Sequence, residues 1–474
     1  MAPILKPDLC VIGGGSGGLT TAAAAAAFGV KVVLIERGKM GGDCLNYGCV
    51  PSKALLAAGK HAAAIREARH FGILAEEPRI DFAAVKDHVQ SVIAAIAPND
   101  SVERFESLGV TVLQSDSAFV DDKTVSAGGQ IIQARRYVVA TGSSPFVPPI
   151  DGLAKTPFFT NETIFDLKEC PSHLVIIGGG PIGIEMAQAH RRLGSNVTVV
   201  EAGRFLGRDD PELGDVVLDR LREEGVVLRD YAKVVAVSSG EAGPCVTIET
   251  DEGRETIESS HLLVAVGRTA NVEGLGLGAA GIEFSAKGIK VGADLRTTNR
   301  RVYAVGDITG GPQFTHVANY QAGLVLRPLL FRLPVRERRD HLPHVTFTDP
   351  ELGQVGPTEA EAEAAGTLKE VLRWSYGEND RAQAERRTSG LIKLVVGRKG
   401  RIIGAGVAGM SAGEITNMLS LAVGKKMTVA DLRDYVSPYP TLSEIGKRAA
   451  TVYYRPYTQK SVVRRLVGLL AKLG

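Results

Sequence analysis

The residues with the clearest capacity for chemistry are Cys44 and Cys49, set in Gly41-Gly42-Asp43-Cys44-Leu45-Asn46-Tyr47-Gly48-Cys49-Val50-Pro51-Ser52-Lys53. Five positions on an ideal helix advance about 7.5 Å, beyond the roughly 7 Å between Cα atoms that a disulfide can span. The pair can therefore bridge only where the surrounding glycines take the backbone off a regular helix, and a bridge held that way opens readily. Five cysteines in 474 residues make no disulfide framework, so the spacing reads as a working redox pair and not as a staple. Cys10, Cys170 and Cys245 have no partner spacing and read as ordinary thiols.

Two segments of one design must position such a pair: an apolar strand, glycines, then a helix of small residues, over Leu9 to Phe28 and again over His173 to Leu193. Gly13, Gly15 and Gly18 give the first three-glycine spacing, and Glu36 closes the next strand, Val32 to Ile35, where an acid reaches a ribose hydroxyl. Gly178, Gly180 and Gly183 repeat the spacing, with Glu201 closing Val197 to Val200. Backbone amides at each helix start would hold a pyrophosphate. Two such motifs flanking a cysteine pair require two dinucleotides and a thiol to meet.

A chain of 474 residues predicts two to four domains. Its formal charge of +2 provides no field of one sign to steer a nucleic acid, so none is expected as partner. The apolar run Leu9 to Ile12 is too short for a signal peptide and leads straight into Gly13. No stretch approaches the roughly 18 apolar residues that span a bilayer, and the expected location is the cytoplasm.

The cysteine segment and the two glycine motifs together resemble the class I pyridine nucleotide-disulfide oxidoreductases, the FAD-dependent family of dihydrolipoamide dehydrogenase, glutathione reductase and mercuric reductase, over essentially the whole chain. The resemblance implies an α/β protein with two doubly wound dinucleotide-binding domains, for FAD and NAD(P), and an α+β dimerisation domain. On that pattern residues 1–150 are the first part of the FAD domain, 151–275 the NAD(P) domain, 276–342 the returning central part, and 343–474 the dimerisation domain with an amphipathic tail. It implies that Cys49 is the thiolate beside the flavin and Cys44 the exchanging thiol. The residues support that division, since a helix start and Lys53 both follow Cys49 and both lower a nearby thiol pKa. By the same resemblance Lys53 pairs with Glu185 next to the flavin ring. The resemblance also implies that Thr141, Gly142, Gly267 and Asp307 contact cofactor and that His316 runs beneath the flavin, a surface turn at Asp307 and a packed or capping role for His316 being the other readings. No resident metal is implied.

The chain departs from the family near its C-terminus. Relatives that handle dithiols carry a His-Pro-Thr segment five residues before a glutamate; here Tyr439-Pro440-Thr441 precedes Glu444. A phenol with an ordinary pKa of about 10 is a poor base at neutral pH, whereas a histidine near 6.5 exchanges protons there. Tyrosine at this position resembles mercuric reductase, but no cysteine follows Cys245 to deliver a metal, and with the first glycine motif beginning within the first fifteen residues no N-terminal metal-binding module is expected. The expected enzyme is a homodimer with an active site shared between chains. It would pass electrons from NAD(P)H, NADH favoured by Glu201, through FAD and the cysteine pair to a small disulfide, a metal ion or another electrophile. Dihydrolipoyl dehydrogenase and a flavin-bearing redox sensor are the competing readings. In the tail, residues 460–474, Val462, Val463, Leu466, Val467, Leu469, Leu470 and Leu473 share one helical face opposite Arg464, Arg465 and Lys472. Packing on the dimer is the common fate of such a stripe, and weak contact with an anionic membrane surface is the other.

Overall fold

The computed structural model describes residues 4–473 and parts into two compact units, one running to Ala202 and resuming over Val227–Glu337, the other combining Gly203–Val226 with the chain from Arg338 onward. In the first unit the strand Leu9–Ile12 is apolar and buried at every position, as befits the centre of a parallel sheet covered on both faces. It pairs in parallel with Val32–Glu36 on one side and Arg136–Val139 on the other. Thr111–Gln114 and Val302–Ala304 complete five strands. The alanine-rich helix Ser16–Ala27 packs on this sheet, small side chains allowing close approach.

The second glycine motif builds a similar sheet in the same unit. His173–Ile177 lies between Asn196–Val200 and His261–Val264, all parallel, with Val227–Arg229 at the edge. The chain leaves the first sheet and returns through an antiparallel ribbon, Ser143–Pro145 against Arg268–Ala270.

In the second unit five antiparallel strands run in the order Pro343–Thr346, Glu351–Val355, Ile402–Gly409, Leu391–Val396, Glu370–Ser375. Helices Ala412–Gly424 and Glu444–Val452 bury Ile415, Leu419, Ile445 and Ala449 in one core with these strands. The central strand reaches Gly409, and the last core helix begins at Glu444, after Pro438 and Pro440.

A buried cation ties the second unit together. Lys393, 5% exposed, lies within 2.8 Å of Asp210 Oδ2, 2.9 Å of Glu212 and 2.8 Å of Glu359. Arg373 closes the cluster on Glu212 and Glu359. Burial opposes the charge on Lys393, but the carboxylates outweigh it and raise its pKa.

Candidate active site

The cysteine loop departs from one helix as its spacing demands. Cys44 lies in the short helix Gly42–Asn46, the backbone breaks at Tyr47 and Gly48, and Cys49 opens the helix Cys49–Glu67. Gly42 has φ +60°, and a Cβ on it would stand 2.8 Å from the Gly15 Cα, so only glycine fits there without displacing the phosphate loop. Asp43 anchors the loop through Arg268 at 3.1 Å and Asn161 at 3.1 Å, while Asn161 also donates to the Tyr47 carbonyl.

Cys44 and Cys49, expected as a redox pair, come within hydrogen-bonding reach of each other. Their acidities are driven apart. The hydrogen bond from Cys44 is the largest cause that takes Cys49 down to about 6; Thr315, whose Oγ1 lies 3.5 Å from the Cys49 sulfur, and then the Lys53 charge add to it against the cost of burial. The same hydrogen bond, followed by burial, pushes the Cys44 thiol up. The Lys53 charge lowers the Cys49 pKa after two hydrogen bonds that the spacing did not disclose.

Lys53 and Glu185 meet at 2.8 Å, with the carboxylate only 5% exposed. The contact joins the first turn of the cysteine helix to the helix Pro181–Arg192 behind the second glycine motif. His316 lies in the first turn of the helix Thr315–Phe331 with its ring stacked on Phe314 at 5.4 Å.

Both glycine motifs fit a dinucleotide. The helices starting after Gly15 and Gly180 have no side-chain cap, and the N–H groups of their first turns, which Pro181 lacks, are the kind that hold a pyrophosphate. A Cβ on Gly18 would be 1.8 Å from the Gly13 carbonyl oxygen, and one on Gly183 would be 2.0 Å from that of Gly178, so each third glycine lets helix and loop touch. Glu36 accepts from the Gly14 N–H and Glu201 from the Gly179 N–H at 2.7 Å, which places both acids beside their glycine loops.

Asp307 accepts from the Ser143 hydroxyl at 2.6 Å, and Arg268 donates to that hydroxyl at 2.7 Å. Burial raises the Asp307 pKa against the pull of Ser143 and Arg268. Thr141 and Gly142 are held at the crossover by Asn271, and the Gly267 carbonyl accepts from Phe146. Thr315, Ser143, Arg268, Asp43 and Asn161 were not singled out from the sequence, since each is an ordinary residue that only the fold brings to the site. In the second unit the Tyr439 hydroxyl donates to Asp380 Oδ2, and Glu444 is taken by Arg448 at 2.7 Å.

The profile of the pyridine nucleotide-disulphide oxidoreductases matches residues 7–322. The chain belongs to that family. The dimerisation domain of these oxidoreductases matches residues 342–450. The chain is 35% identical over 454 residues to the mercuric reductase of Streptomyces lividans, covering 94% of this chain and 96% of that protein. It is 34% identical over 456 residues to the dihydrolipoyl dehydrogenase of Geobacillus stearothermophilus, with 94% and 96% covered. Among solved structures, LpdA of Mycobacterium tuberculosis matches with a TM-score of 0.86 at 28% identity, covering 95% of this chain and 99% of that one. The HOCl-induced flavoprotein disulfide reductase RclA of Escherichia coli matches at 0.84 and 28%, covering 94% and 99%. The protein is an FAD-dependent pyridine nucleotide-disulfide oxidoreductase. No helix among the described residues is long and apolar enough to cross a membrane.

Proposed function

We propose that this oxidoreductase works as a reductase, spending NADH to keep the Cys44–Cys49 pair reduced and passing two electrons from it to a small disulfide, a metal ion or another electrophile. The carrying observation is the divergence of the two sulfurs, Cys49 lowered to about 6 and Cys44 raised. At neutral pH the reduced pair is then one thiolate, held by Thr315 and Lys53, and one thiol that retains its proton. Bound FAD would take a hydride from the nicotinamide and give the electron pair to sulfur.

Gly13, Gly15, Gly18 and Glu36 would hold the adenosine side of FAD, with Thr141, Gly142 and Asp307 nearer its flavin half. Lys53, paired with Glu185, and His316 would line the ring. Gly178, Gly180, Gly183 and Gly267 would receive the nicotinamide dinucleotide, and Glu201 would accept from a free ribose 2′-hydroxyl and repel a 2′-phosphate.

The thiol step balances as ordinary exchange. Two electrons and one proton, together the equivalent of one hydride, open the Cys44–Cys49 bond to one thiolate and one thiol. Cys44 sulfur, losing that proton, attacks a disulfide acceptor and expels one half as thiol; the Cys49 thiolate then displaces the other half and remakes the bridge. Tyr439, its hydroxyl hydrogen held by Asp380, stands in place of a histidine base, which disfavours oxidation of a dithiol. The dimer would complete each site with the partner's copy of this segment, and a reducing, NADH-supplied compartment such as the cytoplasm suits the direction.

The likeness to mercuric reductases, and to a disulfide reductase whose solved forms include a Cu(II) complex, puts metal ions on the acceptor panel. Oxidation of NADH and NADPH should be followed with small disulfides, Hg(II), Cu(II) and quinones. Acceptor-dependent turnover that disappears in Cys44→Ser supports the reading. No turnover with any acceptor would favour a redox sensor, and rapid oxidation of dihydrolipoamide would favour the dehydrogenase.

A further inference from the structure

The C-terminal helix Ser461–Leu470 stands outside the core of the second unit. Tyr453 and Tyr454 pack partly buried against that core, the Tyr457 ring lies tilted beside them, and at Lys460 the backbone turns extended before the last helix begins. Beyond that break Val462, Leu466, Val467, Leu469, Leu470 and Leu473 are 55% to 76% exposed. At 100° per residue these positions with Val463 fall within one arc, and Lys460, Arg464, Arg465 and Lys472 fall on the rest of the circumference.

Charge selects what such a face meets. After Glu444 the chain holds seven basic residues, Lys447, Arg448, Arg455, Lys460, Arg464, Arg465 and Lys472, and no acid. Since the whole chain is only +2, everything before this stretch is net acidic and the cationic charge is gathered on one end. The dimerisation profile stops at residue 450, before the helix starts. A leucine- and valine-rich arc flanked by arginine and lysine is the composition that lies in the plane of an anionic bilayer, the apolar side among the acyl chains and the cations at the phosphates.

We propose that residues 460–473 form a reversible anchor for an anionic lipid surface, so that the oxidoreductase works as a peripheral membrane protein. Neither attraction suffices alone. A short helix buries few side chains, and a few exposed cations are screened by salt, so binding requires both the apolar arc and the anionic headgroups.

The test is flotation of the full-length FAD-loaded protein with vesicles of 30% phosphatidylglycerol in phosphatidylcholine, and with phosphatidylcholine alone. Wild type should float with the anionic vesicles, remain behind with the neutral ones, and be released by high salt. Arg464→Gln/Arg465→Gln and, separately, Leu466→Glu/Leu470→Glu should each reduce anionic-vesicle binding about tenfold or more. Both should keep wild-type flavin content and NADH oxidation, which shows that they fold. Wild-type protein that does not float, or floats equally with neutral lipid, overturns the proposal. Loss of the dimer in Leu466→Glu/Leu470→Glu by light scattering, with no lipid binding by wild type, would assign the arc to a second copy of the chain instead.

Discussion

Tyr439 donates its hydroxyl hydrogen to Asp380 Oδ2 across 2.8 Å. The carboxylate makes loss of the phenolic proton harder, through that bond first and its charge second, so the Tyr439 pKa rises further from neutrality. A position that in dithiol-handling relatives carries a base carries here a held donor.

Oxidation of dihydrolipoamide should therefore be slow, since positioned acid-base catalysis contributes about a hundredfold to ten-thousandfold. Tyr439→His should raise that rate near neutral pH. The gain should be larger in Tyr439→His/Arg448→Gln, because Arg448 otherwise occupies the Glu444 carboxylate that would orient an imidazole. Steady-state rates measured beside a histidine-bearing relative decide it; wild-type activity equal to that relative would return the protein to the dehydrogenases.

The reduced enzyme should show a long-wavelength thiolate-to-flavin absorption band that Cys49→Ser removes and Cys44→Ser retains. Because the Cys49 pKa is lowered to about 6, the thiolate is present above that pH and lost below it, so the band should fade as pH drops through about 6. Thr315→Val and Lys53→Met should each move the midpoint upward, seen by spectrophotometric titration. A midpoint unmoved by both would show that neither group governs the sulfur.

NADH should give the higher kcat/KM of the two nicotinamides, and Glu201→Ala should narrow the ratio by about tenfold or more by removing repulsion of the 2′-phosphate. Arg204, nearby in sequence, is bound to Asp215 at 2.9 Å and to the Pro211 carbonyl at 3.0 Å. Initial rates with both nucleotides check the ratio.

Lys393→Met should lower the thermal midpoint by several degrees, because it leaves buried Asp210 beside Glu212 and Glu359 with a cation removed, a loss of about 3–5 kcal/mol for a broken buried pair. Glu212 and Glu359 have lowered pKa values, burial opposing Lys393 and Arg373 on Glu212, and the Lys393 hydrogen bond leading on Glu359. Their stabilisation is thus present above the ordinary carboxyl value and disappears as pH falls through the lowered one. Calorimetry of wild type should show that acid loss, and Lys393→Met should show less of it.

The nucleotide folds and the paired cysteines were legible because they rest on local rules: glycine spacing, strand-ending acids, and a sulfur separation too long for a regular helix. Lys53 and Glu185 could be paired only through resemblance, being 132 positions apart, and they do meet. Thr315, Arg268 and Asn161 carried no signal, since a hydroxyl, a guanidinium and an amide are common and their partners lie about a hundred positions or more away. Asp380 was hidden for the same reason, 59 positions from Tyr439. The Lys393 cluster was invisible because a single lysine in an apolar strand gives no hint of three acids drawn from two separate segments.

Gly42 rests its bare Cα side against Gly15, so the turn that carries the sulfurs and the turn that receives the pyrophosphate are one mechanical part. Gly42 cannot be given a side chain without moving the Gly15 loop. An engineer wishing to alter the acceptor chemistry should leave residues 41–49 and 13–18 as a single inherited piece and seek variation at the walls of the cleft.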